Sequence, residues 1–219
     1  ECREMSLEIR NLNVSIEGIP ILNDVSLSIA PGQMVGLIGH NGAGKTTLIR
    51  AIMGLLPTDR GEMFFGGQDL RAQPAFTRAA AGISYLPEDR RLIPSLTVEE
   101  NIMLPVWANK LADSKQRLDW VYSLIPEIAQ FRDRKAMQLS GGQQKLVAMA
   151  RALMPGNQLL ILDEPFEGVA PVLSRRLSEV IAKLGQEGLC VLISESDDTH
   201  SADLVDALFR IERGSVTAG

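Results

Sequence analysis

The sequence predicts an α/β fold with a mostly parallel central sheet, and three observations support this fold class. In the second half of the chain, apolar runs typical of buried strands alternate with segments of helical spacing, as in parallel sheets with crossover helices. Short segments of the first third alternate strictly between apolar and polar residues, which predicts an N-terminal antiparallel β subdomain. Helical spacing dominates the stretch in between, so an inserted α-helical subdomain is expected.

The predicted strands of the first third lead into a predicted helix. Alternation at Leu12, Val14 and Ile16, and again over residues 25–29, predicts the antiparallel strands. A Pro-Gly turn follows, and the apolar run 34–38 predicts a buried strand. Helical spacing over 47–53 predicts a helix that ends at a glycine, Gly54.

The run between this strand and this helix matches the phosphate-binding pattern G-x-x-x-x-G-K-[ST] at every fixed position. Glycines let backbone N–H groups crowd around phosphates, and a helix N-terminus favours anions. We therefore expect Lys45 to reach the outer phosphates of a nucleoside triphosphate and Thr46 to offer its hydroxyl to Mg²⁺. The expected binding residues are Gly39, His40, Asn41, Gly42, Ala43, Gly44, Lys45, Thr46 and Thr47.

The later elements alternate in type. A helix is expected after a cap at Asp113 or Ser114, and another begins after two glycines at 141–142. The four-residue apolar run 159–162 predicts a central parallel strand. A helix with its apolar face between 173 and 184 and a strand over 189–193 follow.

These elements divide the chain into two parts. Residues 5–87 and 139–219 are expected to form the nucleotide-binding α/β core with its antiparallel subdomain, and residues 88–138 the α-helical subdomain. Met5 is expected to be the native start, which leaves residues 1–4 as a remnant outside the fold.

Composition limits the partners and the compartment. The net charge of −5 offers no broad basic surface, so no nucleic-acid partner is expected. Cys2 and Cys190 lie far apart and are expected to be reduced thiols of a cytoplasmic protein. No apolar stretch approaches the ~18 residues that span a bilayer, so a membrane role must come through a partner.

Two adjacent carboxylates, Asp163 and Glu164, follow the predicted central strand. A rigid strand end beside the phosphates suits an aspartate that organises Mg²⁺. Because adjacent strand residues point to opposite sides, Glu164 is expected to have a different task, which is to orient or activate the attacking water.

The segment 139–143 (LSGGQ) adds a second anion-binding helix start. One γ-phosphate cannot easily use two such ends of one chain, so Ser140, Gly141, Gly142 and Gln143 predict a second subunit. With this segment the chain resembles the nucleotide-binding subunits of ATP-binding cassette (ABC) transporters, over essentially all of residues 5–219.

The resemblance implies a P-loop NTPase fold of the RecA-like type, with ATP and Mg²⁺ as ligands. It also implies a head-to-tail dimer, homomeric or heteromeric, in which the phosphate loop of one ATPase subunit and the LSGGQ segment of the other close around ATP. The implied partners are transmembrane permease subunits and, indirectly, a solute-binding protein. The implied place is the inner face of the cell membrane, bound peripherally through the permease.

Three further segments resemble the branched-chain amino acid importers, especially the shorter of their two ATPase subunits. These are residues 85–91 (YLPEDRR), 96–101 (LTVEEN) and 168–171 (GVAP). Within them, Glu88 stands where most relatives of the family have glutamine. It is expected to bind Mg²⁺ or sense the γ-phosphate, the alternative being a solvated carboxylate beside Arg90 and Arg91.

Two positions depart from the family pattern. Ile16 stands where most members stack an aromatic residue on adenine, so ATP binding should be weakened. Ser196 aligns best with a histidine that touches the γ-phosphate; a serine brings no positive charge, so hydrolysis should be slow or depend on the partner. The alternative is that His200 takes the place of that histidine.

A membrane partner and two rival functions complete the expectations. Apolar residues bracket the junction with the helical subdomain and predict either a groove for a permease helix or that subdomain's own core. The bracketing residues are Leu92, Ile93, Leu104, Val106 and Trp107.

The two rival functions are a soluble ABC ATPase acting on ribosomes or nucleic acid, and a weakly active regulatory cassette.

Overall fold

The computed structural model describes residues 6–155, 158–197 and 199–219. The expectations for residues 1–4, for the start at Met5 and for Cys2 lie outside these ranges. Within them, the strands are β1 (Leu7–Ile16), β2 (Ile19–Ile29), β3 (Met34–Ile38), β4 (Arg60–Phe65), β5 (Gln68–Asp69), β6 (Ile83–Leu86), β7 (Leu159–Asp163), β8 (Cys190–Glu195), β9 (Ala207–Glu212) and β10 (Ser215–Ala218).

The helices alternate with the strands of the parallel core, as expected. They are α1 (Lys45–Ile52), α2 (Thr77–Ala80), α3 (Val98–Asn109), α4 (Ser114–Leu124), α5 (Pro126–Ala129), α6 (Gly141–Leu153) and α7 (Pro171–Gln186), with a short 3₁₀ helix at Ala136–Gln138.

The strands form two sheets. An antiparallel sheet has the order β2-β1-β4-β5, and a six-stranded sheet has the order β10-β9-β3-β8-β7-β6. In the second sheet β9, β3, β8, β7 and β6 run parallel, and only β10 pairs antiparallel, at the edge. The predicted fold class is confirmed, while β4, β5, β6, β9 and β10 were not predicted.

Several element boundaries differ from the predicted ones, since β1 and β2 begin five and six residues earlier than expected, and α1 and β8 also differ. Helix α1 begins at Lys45 rather than at residue 47, because the left-handed Gly44 turns the chain directly into the first helical turn. Strand β8 begins one residue later and ends two residues later than predicted, since Ser194 and Glu195 continue the ladder beside β3. Both of these polar residues are buried, which an apolar pattern does not reveal.

Apolar residues fill both faces of the six-stranded sheet. One cluster joins the antiparallel sheet, α1 and one face of the parallel strands. The other joins the opposite face to α6, α7 and the helices of residues 98–131. These helices therefore share their core with the sheet, and the division at residues 88 and 138 stays a prediction. Among the described residues, no helix is long and apolar enough to cross a membrane.

Candidate functional site

The phosphate loop spans residues 39–44, between β3 and α1. The Gly39 N–H donates to the Glu195 carbonyl at 3.0 Å. A Cβ at Gly39 would lie 2.4 Å from the Ile211 carbonyl oxygen, so a larger residue would push the loop off the sheet. Gly44 has φ 116°, in the left-handed region that favours glycine. The loop is thus held tightly around the N-terminus of α1, where anions are favoured.

Lys45 is buried at the base of this loop. Its Nζ lies 3.1 Å from Glu164 Oε1, and the two side chains are 5% and 9% exposed. The same Nζ donates to the carbonyls of Gly39 and His40, the latter at 3.3 Å. The ammonium group therefore links the loop to the carboxylate expected to act on water.

Asp163 is the last residue of β7 and is fixed from three directions. Its Oδ1 accepts hydrogen bonds from Ser194 Oγ at 2.7 Å and from Thr46 Oγ1 at 3.4 Å, and its Oδ2 accepts from Tyr85 OH at 3.2 Å. Burial and the neighbouring Asp163 raise the pKa of Tyr85, so the phenol remains a donor. The carboxylate and the Thr46 hydroxyl converge, as the motifs predict.

The donor set beside the loop fits Mg²⁺. Thr46, Asp163 and Glu88 supply the hard oxygen atoms that this ion prefers. Burial raises the pKa of Glu88, and the charges of Glu167, Asp163 and Glu164 raise it further. A cation would relieve this repulsion. No cluster of three metal-binding side chains occurs among the described residues, so phosphate oxygens would complete the coordination.

Glu164 lies just beyond the strand with φ 48°, an unusual left-handed conformation for this residue type. Its N–H donates to the Ser194 carbonyl at 3.1 Å, and its carbonyl accepts from Lys145 Nζ at 3.2 Å. Its Oε1 accepts from Ser196 Oγ at 3.0 Å. The two adjacent carboxylates do have different partners. The reason is this backbone turn, not the strand pleat on which the sequence argument relied.

A cavity of about 410 Å³ opens over the loop and contains six of the nine expected phosphate-loop residues, together with Glu88 and Glu164. Ile21 and Glu167 also line it, although the sequence did not single them out. The lining residues are Ile21, Asn41, Gly42, Gly44, Lys45, Thr46, Thr47, Glu88, Glu164 and Glu167.

Several expected site residues do not line this cavity, among them Gly39, His40, Ala43, Asp163, Ile16 and the LSGGQ segment. Ile16 ends β1 with 37% of its surface exposed. The LSGGQ segment begins α6, where Ser140 Oγ accepts from the Gln143 N–H at 3.3 Å and Gln143 Oε1 accepts from the Ser140 N–H at 3.0 Å. This reciprocal capping fixes the first turn of α6.

Ser196 and His200 lie in a neighbouring cavity of about 420 Å³ that also includes Asn41 and Glu164. Ser196 Oγ lies 3.0 Å from Asn41 Oδ1, so this serine contacts both the phosphate loop and Glu164. The His200 ring lies against Phe166, with centroids 5.1 Å apart. Of the two, Ser196 has the direct contacts to the candidate site.

The five apolar residues at the helical junction divide into two groups. Val106 is buried, and Leu92 packs against the core. Ile93 and Trp107 are 41% and 55% exposed, and Leu104 is half-buried. Val106 and Leu92 thus belong to the core, and the groove for a permease helix stays a prediction for the exposed Ile93 and Trp107.

Three residues that support the carboxylates were missed by sequence reasoning. Tyr85 and Ser194 bond Asp163 from neighbouring parallel strands, and the only signal for them is a polar residue within a buried strand. Lys145 is 1% exposed, and burial, then Arg90, lowers its pKa. Its position four residues before Met149, on the apolar face of α6, is the available signal.

A phosphate loop that follows β3 and an Asp-Glu pair at the end of β7, in one parallel sheet with β8 between these strands, define a P-loop nucleoside triphosphatase. Residues 22–167 match the family model described as ABC transporter. This chain belongs to the ABC transporter ATP-binding family.

Known relatives agree over nearly the whole chain. The lipopolysaccharide export system ATP-binding protein LptB of Haemophilus influenzae is 35% identical and covers 97% of this chain and 89% of its own length. The high-affinity branched-chain amino acid transport ATP-binding protein BraG of Pseudomonas aeruginosa is also 35% identical, over 90% of this chain and 85% of its own. The solved ADP conformation of an ATP-binding cassette superposes with a TM-score of 0.84 at 28% identity, covering 98% of this chain and 89% of the other.

Family membership establishes the coarse function. The chain is an ATPase subunit of an ABC transporter, and ATP and Mg²⁺ are its substrate and cofactor. Subunits of this family dimerise and act with transmembrane permease components.

Proposed function

We propose that this subunit powers an importer for branched-chain amino acids or a related small solute. The similarity to BraG supports this cargo, together with the segments 85–91 and 168–171. The chain would associate with the cytoplasmic face of the membrane through its permease, with a solute-binding protein selecting the cargo. The second ATPase subunit is a copy of this chain or a related one.

The contact between Lys45 and Glu164 is the observation that best supports the roles we propose for these two residues in ATP hydrolysis. Phosphate oxygens offer the Lys45 ammonium a stronger partner, so ATP would draw it away from the carboxylate. Glu164, still held by Ser196, is then free to accept a proton from the attacking water. The loop N–H groups and Lys45 stabilise charge on the leaving phosphates.

Thr46, Asp163 and Glu88 would hold Mg²⁺, which supplies positive charge to the β and γ phosphates. Ser194 and Tyr85 keep the Asp163 carboxylate aimed at this position through their hydrogen bonds. Ser140, Gly141, Gly142 and Gln143 of another subunit would contact the γ-phosphate, since they do not line the cavity of their own chain.

Replacing Glu164 with glutamine tests these roles. Glu164→Gln keeps the size of the side chain but cannot accept the proton, so we expect turnover to fall by about 100-fold or more. ATP binding should persist, measured with a fluorescent ATP analogue. Glu187→Gln, an exposed residue just after α7, is the matched control and should keep wild-type turnover. Near-normal turnover of Glu164→Gln would contradict the assignment, and low turnover of both wild-type and variant would favour the regulatory cassette.

A second candidate function has direct support from the LptB similarity, which points to an exporter of lipopolysaccharide-like cargo. Co-purification of membrane subunits from native membranes, followed by reconstitution, separates the two. If the transporter is an importer, its ATP turnover should rise when its solute-binding protein and a branched-chain amino acid are added. If it is an exporter, its ATP turnover should rise when lipopolysaccharide is added. Co-purified RNA would instead support a ribosomal or nucleic-acid role.

A further inference from the structure

Glu195 is a buried carboxyl group that the proposed chemistry leaves without a task. It is the last residue of β8, only 5% exposed, and its side chain lines the cavity of about 420 Å³ that also contains Glu164 and Ser196. Its Oε2 is buried and has no hydrogen-bond partner among the described residues. A carboxyl group that is buried without a hydrogen-bond partner is much less stable as a carboxylate than as a neutral acid.

The backbone around Glu195 connects both halves of the catalytic site. Its carbonyl accepts the hydrogen bond from the Gly39 N–H at 3.0 Å, which fixes the start of the phosphate loop. The next residue, Ser196, has its hydroxyl 3.0 Å from both Asn41 Oδ1 and Glu164 Oε1. A displacement of Glu195 would therefore reach the loop and the candidate base together.

The charges that face Glu195 are mostly negative. Burial raises the pKa of Glu195 from 4.5 to about 7, the charges of Glu164 and Asp197 act in the same direction, and the nearby Ser201 acts in the opposite direction. Glu167 and His200 also line the cavity, and Lys45 is the cation paired with Glu164.

We propose that Glu195, as a neutral carboxylic acid, is a positioning residue that keeps Glu164 and Ser196 in their working arrangement. Ionisation of Glu195 would place a second negative charge beside Glu164 and repel it from Ser196 and the loop. Turnover should then fall as the pH rises through neutrality. This inference rests on the proposed role of Glu164.

The pH profiles of kcat and of KM for ATP, from about pH 5.5 to about pH 9, test the inference. We expect wild-type kcat to fall several-fold over this range, while Glu195→Gln keeps its low-pH kcat throughout and KM changes little. Glu195→Asp, which retains a carboxyl group, should retain a pH-dependent kcat. His200→Gln should also retain the fall, which separates Glu195 from the nearby imidazole.

Infrared difference spectra provide a readout that needs no turnover. The wild-type protein should lose a protonated-carboxyl band between about pH 6 and about pH 8, and Glu195→Gln should lack this change. An unchanged profile in Glu195→Gln, or no protonated carboxyl in the wild-type protein, overturns the inference. High turnover of Glu164→Gln would overturn the role of Glu164 instead, so the two failures are distinguishable.

Discussion

Ile16 is the residue at which the expected weak binding of the nucleotide base can be tested. It ends β1 with 37% of its surface exposed, at the position where an aromatic residue would stack on adenine. We expect Ile16→Tyr to tighten ATP binding by about fivefold or more, since base–aromatic stacking contributes ~1–3 kcal/mol. Isothermal titration with ATP checks this, and Leu55→Tyr, another exposed apolar position, serves as the control. Equal affinity of the two variants would mean that Ile16 does not face the base.

Glu195 also makes stability depend on pH. Its pKa is 4.5 when unfolded and about 7 when folded, so the unfolded chain releases this proton first as the pH rises. The folded state therefore loses stability between about pH 4.5 and pH 7, and the loss is complete above that range. We expect Glu195→Gln to have a higher Tm than wild-type at pH 8 and no such advantage near pH 4.5, measured by calorimetry. An advantage of equal size at both values would exclude titration of Glu195 as the cause.

The roles of single residues were predictable where the residues belong to a motif. They were not predictable where they depend on contacts between residues far apart in the sequence. The phosphate-loop pattern identified Lys45 and Thr46 because its spacing alone produces the geometry. Ser194 approaches Asp163 only because β8 and β7 are neighbours in the sheet. That order depends on the packing of the whole chain.

At the scale of elements, two helices begin with the same device but are expected to differ in function. Thr97 and Glu100 cap α3 reciprocally, as Ser140 and Gln143 cap α6. Ser140→Ala and Thr97→Ala should each cost about 1 kcal/mol of stability, a fall in Tm of about 2–4 °C. Only Ser140→Ala should also lower ATP turnover. If both variants lost turnover equally, the effect of Ser140 would be structural.

Element boundaries were predicted well where a glycine turn ends an apolar run, and less well where buried polar residues continue the strand. The strand 34–38 was correct because the phosphate loop follows it directly. Strand β8 was cut short because its buried polar end looks like a loop. The strands β9 and β10 have mixed burial, so neither alternation nor a continuous apolar run marks them.

At the scale of the whole molecule, the positions of the phosphate loop and the LSGGQ segment support the proposal that two chains form one site. The first lines the cavity and the second caps α6 outside it. Lys45→Ala removes the cation from the loop. Ser140→Asp keeps a good helix cap but places a negative charge where a γ-phosphate would lie. Each variant alone should be inactive if each chain supplies half of every site.

Mixing the two inactive variants tests this arrangement directly. A dimer of one Lys45→Ala chain and one Ser140→Asp chain contains one site with an intact loop and an intact LSGGQ segment. If the chains pair at random and the sites act independently, half of the dimers are mixed and each has one intact site of two. We therefore expect turnover to recover to about a quarter of the wild-type value. A chain carrying both substitutions should restore nothing when mixed with either variant, because no intact site can form. Activity of Ser140→Asp alone would show that the loop hydrolyses ATP without a partner's segment, and a mixture that stays inactive would exclude a site shared between two copies of this chain.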